Sequence, residues 1–206
     1  MEAISRQFLG LPYQTNPLIG SAATPEVFTV SLDGFDCVTY IETMLALSLA
    51  SDADDFVEWL RKIRYEGGCI AWERRNHYMT GWISSNIRAG AVKRPRLPGI
   101  PVVWKERSLN DVPGLPPVRC RFTCVPRRAI SRLGRLLQTG DLMFFASTRK
   151  HLDVFHCGII ACAGDRLLLR HASRSRGAVV EQDLSDFLKA NRMAGVIVAR
   201  PKDASS

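Results

Sequence analysis

The sequence predicts a mixed α+β fold in which helices come first and an antiparallel sheet follows. In the first half, apolar residues recur at helical spacing over 37 to about 50, 51–64 and 77–90. In the second half, short alternating runs predict strands at 119–125, 141–146, 156–163, 166–172, 178–180 and 195–200. Helices followed by a series of strands are typical of an α+β domain.

The length and composition fit one domain with a full core. The chain has 206 residues, of which 46% are hydrophobic and 23% are charged, as in ordinary globular proteins. We therefore expect a single domain over 1–206. Residues 92–118 are interpreted as an insertion within this domain rather than a linker, because neither flank of the segment builds a core alone.

The first long helix is expected to begin at Cys37. Asp36 has the N-cap position before it, and four apolar residues follow at helical spacing: Val38, Ile41, Leu45 and Leu49. Upstream, turn signals predict irregular structure over 6–20, and a short strand is expected over 26–32.

Residues 51–118 have a helical part and a proline-rich part. Ser51 and Asp54 have the spacing of a capping box for the helix over 51–64. Six of the eleven prolines lie between positions 95 and 117, so 92–118 is expected to be extended and rich in loops.

The charge and hydropathy patterns limit the partners and the compartment. The net charge is +8, but basic and aromatic residues do not interleave as nucleic-acid binding requires, so no nucleic-acid partner is expected. No apolar run is long enough for a membrane helix, and a monomer is expected. As written, the N-terminus lacks a signal peptide, which predicts a cytoplasmic protein. A trimmed start or a non-standard export route would instead place it in the periplasm or outside the cell.

The six cysteines predict neither a disulfide framework nor a metal site. Cys120 and Cys124 are four residues apart on a predicted strand, a span of roughly 13 Å that exceeds the roughly 7 Å limit for a disulfide. No CxxC pair and no ligand-like histidine spacing is present, so no metal or cofactor is expected. Most of the cysteines are interpreted as small buried hydrophobic residues.

Cys37 is the exception, because its position suits a nucleophile. The N-terminus of a helix supplies partial positive charge and free N–H groups, which favour the thiolate and can hold an oxyanion. A cysteine nucleophile needs a histidine and a group that orients it. His156 begins a predicted strand and His171 lies in the next one, so antiparallel pairing of these strands predicts that the two histidines lie close together. Composition alone would favour structural roles for all three.

Several motifs together resemble a known family. The segments "DCVTYIE", "GDLMFF", "HCGII" and "LLLRHAS" resemble the NlpC-type papain-like cysteine peptidases of bacterial cell walls, in the same order, and "LGLPY" resembles their upstream segment. A closer resemblance is to the subfamily described as N-acetylmuramoyl-L-alanine amidase-like. It adds "RRNHYMTGWISSN" and "LDVFHCGII" and covers about residues 7–200.

The resemblance implies a papain-like fold, with an insertion over about 51–118 relative to compact NlpC-type domains, and a cysteine amidohydrolase. The expected reaction is hydrolysis of an amide bond in peptidoglycan or muropeptides, between N-acetylmuramic acid and L-alanine in the closer subfamily. The resemblance assigns Cys37 as the nucleophile, His156 as the general base and then acid, and His171 as the group that orients His156. It also places Tyr13 near the active site, where its hydroxyl would hold substrate or oxyanion.

Five further positions are candidates for substrate binding. Arg75, His77 and Tyr78 match the subfamily's Arg-x-His-Tyr; they either bind a carboxylate through the arginine fork or anchor the insertion. Asp36 is interpreted first as an N-cap and second as a catalytic or binding acid. Asp153 either holds the loop before the predicted histidine strand or contacts a ligand amine.

Three alternatives to the amidase remain open at this stage. An endopeptidase that cuts within the stem peptide would need the same three residues and a different pocket. An antibacterial effector or lysin would use the same chemistry on the wall of another cell. The third alternative is not an enzyme but a catalytically silent binding domain. The presence of the cysteine and both histidines argues against it.

Overall fold

The chain is described here by a computed structural model that covers residues 1–202. Its helices are α1 (Glu2–Gln7), α2 (Cys37–Leu49), α3 (Ala53–Arg64), α4 (Met79–Arg88) and α5 (Leu184–Ala190). Its strands are β1 (Ile19–Ser21), β2 (Thr24–Val27), β3 (Val92–Lys93), β4 (Val103–Leu109), β5 (Val118–Pro126), β6 (Leu142–Ala146), β7 (Val154–Ala163), β8 (Arg166–Ser173), β9 (Ala178–Asp183) and β10 (Gly195–Pro201). Short 3₁₀ segments lie at Glu66–Gly68, Trp72–Arg74 and Arg127–Leu136.

The predicted α+β class is confirmed, because the helices pack on an antiparallel sheet. The strand order is β4-β5-β10-β6-β7-β8-β9, with β3 also paired to β10, and every pairing is antiparallel. Strands β1 and β2 form a separate hairpin. Among the helices of residues 1–202, none has both the length and the apolar character needed to cross a membrane.

The centre of the sheet is buried on both faces. All five residues of β6 are buried, and the first four alternate between two cores. Leu142 and Phe144 pack with the buried residues of α2, α3 and α4. Met143 and Phe145 pack on the opposite face with Phe187 of α5. Strand β7 pairs with β6 and is therefore held between the helical layer and α5.

The start of α2 is fixed by a capping box. Asp36 Oδ1 accepts hydrogen bonds from the N–H of Val38 (3.0 Å) and of Thr39 (2.8 Å), and the N–H of Asp36 donates to Thr39 Oγ1 (3.0 Å). Such a cap contributes about 1 kcal/mol to helix stability. The predicted N-cap is therefore confirmed, and it places Cys37 at the first helical residue.

A buried ion pair joins the helices behind this site. Arg64 Nε donates to Glu42 Oε2 over 2.8 Å, and both side chains are only 2% exposed. Trp82 Nε1 donates to the other oxygen of Glu42 (3.2 Å), and Arg64 also donates to the carbonyl of Thr29 (2.6 Å). Charge and hydrogen bonds are satisfied together, as burial of charged groups requires.

The N-terminal third departs from the sequence prediction in three places. Residues 6–20 include the end of α1 and strand β1, and the strand expected over 26–32 ends at Val27 as part of the β1–β2 hairpin. The cap of α3 is Asp52, whose carboxylate accepts from the N–H of Asp55 (2.8 Å). Ser51 instead donates its N–H to the carboxylate of Asp55 (2.9 Å), so the predicted cap was misplaced by one residue.

The proline-rich stretch also contains more structure than predicted. Strand β4 pairs with β5 along its whole length, from Val103 opposite Cys124 to Leu109 opposite Val118. The prolines of this stretch lie before 103 and after 109, so they leave every backbone N–H of the strand available. The prediction of loops was based on the number of prolines over 92–118, and it missed a strand within this range that contains no proline.

Candidate active site

The Cys37 thiol lies at the N-terminal end of α2, where one backbone donor is unused. The N–H groups of Val38 and Thr39 are bound by the Asp36 carboxylate, and the N–H of Tyr40 donates to the Asp36 carbonyl. The N–H of Cys37 has no partner within residues 1–202. The cap thus leaves a single free N–H beside the sulfur, where it can stabilise negative charge.

His156 and His171 are brought together by the hairpin of β7 and β8, as the sequence predicted. His156 Nε2 is 2.7 Å from His171 Nδ1. The β6–β7 pairing skips one residue next to His156: Phe145 lies opposite His156 but Ala146 lies opposite Val154. Phe155 is therefore bulged, and a bulge of this kind re-aims the neighbouring side chain.

Burial sets the protonation state of His171. Burial, and secondarily the charge of His156, lower the pKa of His171 to about 3. The ring is therefore neutral at physiological pH, and its Nδ1 can accept the proton of His156 Nε2. The other nitrogen of His171, Nε2, is buried without a hydrogen-bond partner among residues 1–202. The rings of His171 and Phe187 pack edge to face, with 5.4 Å between their centroids.

The Cys37 sulfur is set up as a thiolate. A hydrogen bond from the Cys157 thiol, followed by a hydrogen bond and the positive charge from His156, lowers the pKa of Cys37 well below its usual value in spite of burial. Cys157 Sγ also lies 3.2 Å from the Cys37 carbonyl oxygen. Burial raises the pKa of the Cys157 thiol, so it stays protonated and acts as the donor.

Sequence reasoning missed this role of Cys157, although a signal was present. The sequence analysis interprets most cysteines as small buried hydrophobic residues and gives Cys157 no separate role. Cys157 nevertheless follows His156 directly on a strand, so it faces the helical layer that carries Cys37. The wider expectation that most cysteines are buried is wrong: all six are free thiols, and Cys69 and Cys162 are exposed. Residues 1–202 contain no cluster of histidine, cysteine or acidic side chains that could hold a metal ion.

Tyr13 is also placed at the thiol. Burial raises the pKa of Tyr13, and the negative charges of Cys37 and Asp36 raise it further, whereas Arg174 lowers it. The hydroxyl is therefore protonated at neutral pH and close enough to the sulfur to feel its charge. Burial, and then the charge of Cys37, raise the pKa of Asp36 to about 6, so this carboxylate is still mostly ionised at pH 7 as it caps α2.

Arg75 is occupied by a contact within the protein. Its guanidinium donates from Nε to Glu26 Oε1 (2.9 Å) and from a second nitrogen to the other oxygen of Glu26, and it lies over the ring of Trp72. The arginine side chain is 13% exposed. These contacts hold the insertion on the β1–β2 hairpin, so the fork predicted to bind a carboxylate is already filled.

His77 and Tyr78 likewise make structural contacts. His77 Nε2 is 2.8 Å from the carbonyl of Trp72, and the two rings meet edge to face at 4.2 Å between centroids. The hydroxyl of Tyr78 accepts from the N–H of Val112 (3.3 Å). The structure thus favours the anchoring alternative for both residues.

Asp153 is buried, and both of its oxygens are bound. Oδ2 accepts from the N–H and the hydroxyl of Thr80 at 2.7 Å each, and Oδ1 accepts from the N–H of Val154 (2.7 Å). Asp153 thus joins the first turn of α4 to the start of β7. Of its two predicted alternatives, the contacts favour holding the loop before His156.

The fold that carries the thiol of Cys37 and the two histidines is shared with known proteins. The sequence model of the N-acetylmuramoyl-L-alanine amidase-like (AmiA-like) family matches residues 3–196, and the chain belongs to this family. No curated protein matches the chain.

Several solved structures share this fold. An N-acetylmuramoyl-L-alanine amidase from Bacteroides uniformis is 26% identical, with a TM-score of 0.84 and 98% of each chain covered. A candidate xylanase from Bacteroides fragilis is 25% identical, with a TM-score of 0.86, 97% of this chain and 100% of that chain covered. A Legionella pneumophila protein at 20% identity (TM-score 0.83, 97% and 87% covered) shares the fold.

Proposed function

We propose that the protein is a cysteine amidohydrolase with a papain-like, NlpC-type active site that hydrolyses the N-acetylmuramoyl-L-alanine bond of peptidoglycan or muropeptides. The observation that carries the proposal is the contact of 2.7 Å between His156 and His171 beside the thiol of Cys37, whose pKa is lowered. Family membership and the amidase from Bacteroides uniformis support the choice of bond.

In the first half of the reaction, the Cys37 thiolate attacks the lactyl carbonyl carbon of the muramic acid. The free N–H of Cys37 and the hydroxyl of Tyr13 stabilise the oxyanion of the tetrahedral intermediate. His156 uses Nε2 for the contact with His171, which leaves Nδ1 to face the thiol and to protonate the alanine nitrogen as the C–N bond breaks. The peptide leaves with a free amine, and the lactyl group remains on Cys37 as a thioester.

In the second half, water releases the acyl group. His156 Nδ1 removes a proton from water, the hydroxide attacks the thioester, and the Cys37 thiolate leaves. The products are a muramic acid with a free carboxylate and a peptide that begins with L-alanine. His171, kept neutral by burial, accepts from His156 Nε2 throughout and so holds the ring in one orientation.

The name of the Bacteroides fragilis relative would point instead to hydrolysis of a glycosidic bond. That chemistry usually requires two carboxylic acids on either side of the bond. The two acidic residues predicted at this site are engaged in hydrogen bonds within the fold: Asp36 caps α2, and Asp153 accepts from the N–H of Thr80. A thiol and two imidazoles are suited to acyl transfer, so this activity is not proposed.

The proposal is tested by the identity of the products. We expect a defined disaccharide–peptide to yield intact stem peptide starting at L-alanine, detected by mass spectrometry, with Cys37→Ala as the inactive blank. A cut inside the peptide would replace the amidase by an endopeptidase with the same catalytic residues. Unchanged muropeptide and unchanged sacculi with the unmodified protein would overturn the proposal.

Gly158 is expected to be needed for the position of His171. A Cβ at Gly158 would lie 3.0 Å from the Cβ of His171 and 2.9 Å from the carbonyl oxygen of Arg170. Gly158→Ala should push the strands apart, displace His171 and lower kcat for muropeptide hydrolysis roughly tenfold to a hundredfold. Gly134→Ala is the matched control, because a Cβ there has open space. Equal kcat values for the two variants would contradict the prediction.

A further inference from the structure

The turn between β8 and β9 places two arginines beside the histidines. It consists of Arg174, Ser175, Arg176 and Gly177, and both arginine side chains are exposed. They line a cleft of about 470 Å³ with His156 and His171. Ser173 and Gln182 add polar groups to this wall, and Phe187 adds an apolar one.

The turn is held in place by the segment that carries Tyr13. The N–H of Tyr13 donates to the carbonyl of Gly177 (2.8 Å), and the N–H of Gly177 closes the turn onto the carbonyl of Arg174 (3.3 Å). Gly177 has φ of 68°, a backbone conformation that favours glycine. Arg174 is close enough to Tyr13 to lower its pKa. The arginines are therefore presented from a fixed position.

The positive charges of Arg174 and Arg176 are not neutralised by any group among residues 1–202. Among residues 1–202, neither Arg174 nor Arg176 has an ion-pair partner, in contrast to Arg75 with Glu26. The acidic residue on the same cleft wall, Asp186, pairs with Lys189 over 3.1 Å. The cleft therefore presents two free guanidinium groups, each able to bind a carboxylate through two parallel hydrogen bonds.

Resting on the proposed function, we infer that Arg174 and Arg176 bind the carboxylates of the stem peptide and thereby select acidic peptides as the leaving group. The leaving amine takes its proton from His156, and the cleft with both arginines borders His156. The leaving peptide is the part of the substrate that contains D-glutamate and a C-terminal carboxylate. The sugar, on the acyl side of the bond, carries neither.

The test compares two muropeptides that differ only in charge, one with free peptide carboxylates and one with the same groups amidated. We expect Arg174→Gln with Arg176→Gln to raise KM for the free acid roughly tenfold to a hundredfold at nearly unchanged kcat, the size of a lost hydrogen bond to a charged group. Amidation and the double substitution remove the same contact, so their effects on KM should not add.

The control is Arg119→Gln, an exposed arginine on β5, three strands from β7 in the sheet, which should leave KM unchanged. If the double variant matches the unmodified protein on the free acid, or if its loss adds fully to the effect of amidation, the inference is wrong while the amidase stands. If the unmodified protein cleaves neither substrate, both the proposed function and this inference are wrong.

Discussion

Replacing Cys37 with alanine is expected to lower kcat/KM for muropeptide hydrolysis by roughly 10⁴-fold or more, the loss typical of removing a catalytic nucleophile. The thiolate forms the bond to the substrate, and the neighbouring thiol of Cys157 cannot replace it because burial raises its pKa. The measurement is initial rate against substrate concentration, with products identified by mass spectrometry.

The control is Cys69→Ala, which removes an exposed thiol and should leave kcat/KM unchanged. The pH profile of the unmodified protein adds a second readout. Activity requires the thiolate, so it falls as pH drops through the pKa of Cys37; because that pKa lies well below the ordinary value of 9.0, activity should level off well below pH 9. Cys157→Ala removes the thiol hydrogen bond that contributes most to the lowered pKa of Cys37. The acidic side of the pH profile should therefore move to higher pH. Turnover by Cys37→Ala would contradict the mechanism.

Replacing Glu42 with alanine is expected to destabilise the fold by about 3–5 kcal/mol, because it leaves the charge of Arg64 buried without a partner. The side chains of Glu42 and Arg64 are each 2% exposed, and Glu42 also accepts a hydrogen bond from Trp82 Nε1. The substitution therefore removes contacts that join α2 to both α3 and α4. Urea unfolding followed by circular dichroism measures the free energy of unfolding.

Two further variants separate charge burial from loss of side-chain contacts. Glu58→Ala removes a carboxylate that binds Arg61 at the surface of α3, and it should leave the unfolding midpoint close to that of the unmodified protein. Replacing the buried pair together, by Glu42→Leu with Arg64→Met, should recover much of the lost stability because no unpaired charge remains. A single Glu42→Ala variant as stable as Glu58→Ala would show that the buried charge is not what costs stability.

Much of the fold was predictable because the signals are local. The strands over 141–146 and 156–163 were predicted within two residues, since alternation and turn residues act over a few positions. The strand at Val103–Leu109 was missed because its pairing partner, β5, decides whether an extended segment becomes a strand. The composition of 92–118 reports the surrounding prolines but carries no information about pairing with β5.

The site likewise has features that follow from local sequence and features that depend on distant contacts. The position of Cys37 follows from its own cap, and the approach of His156 to His171 follows from one hairpin. The status of Arg75 depended on Glu26, 49 residues away, and the family pattern alone left two readings open. Its contacts with Glu26 and Trp72 favour the anchoring alternative.

The sequence by itself determined the α+β class, the cap that puts a thiol at the first turn of α2, and the hairpin that joins the two histidines. Each depends on hydrogen bonds and periodicity within a short stretch of chain. Only the tertiary structure decided that Cys157, 120 residues from Cys37, contacts it, and that Arg174 and Arg176 line the cleft without an ion-pair partner among residues 1–202. Contacts across such separations depend on how whole layers pack, and no local pattern records which charge meets which partner.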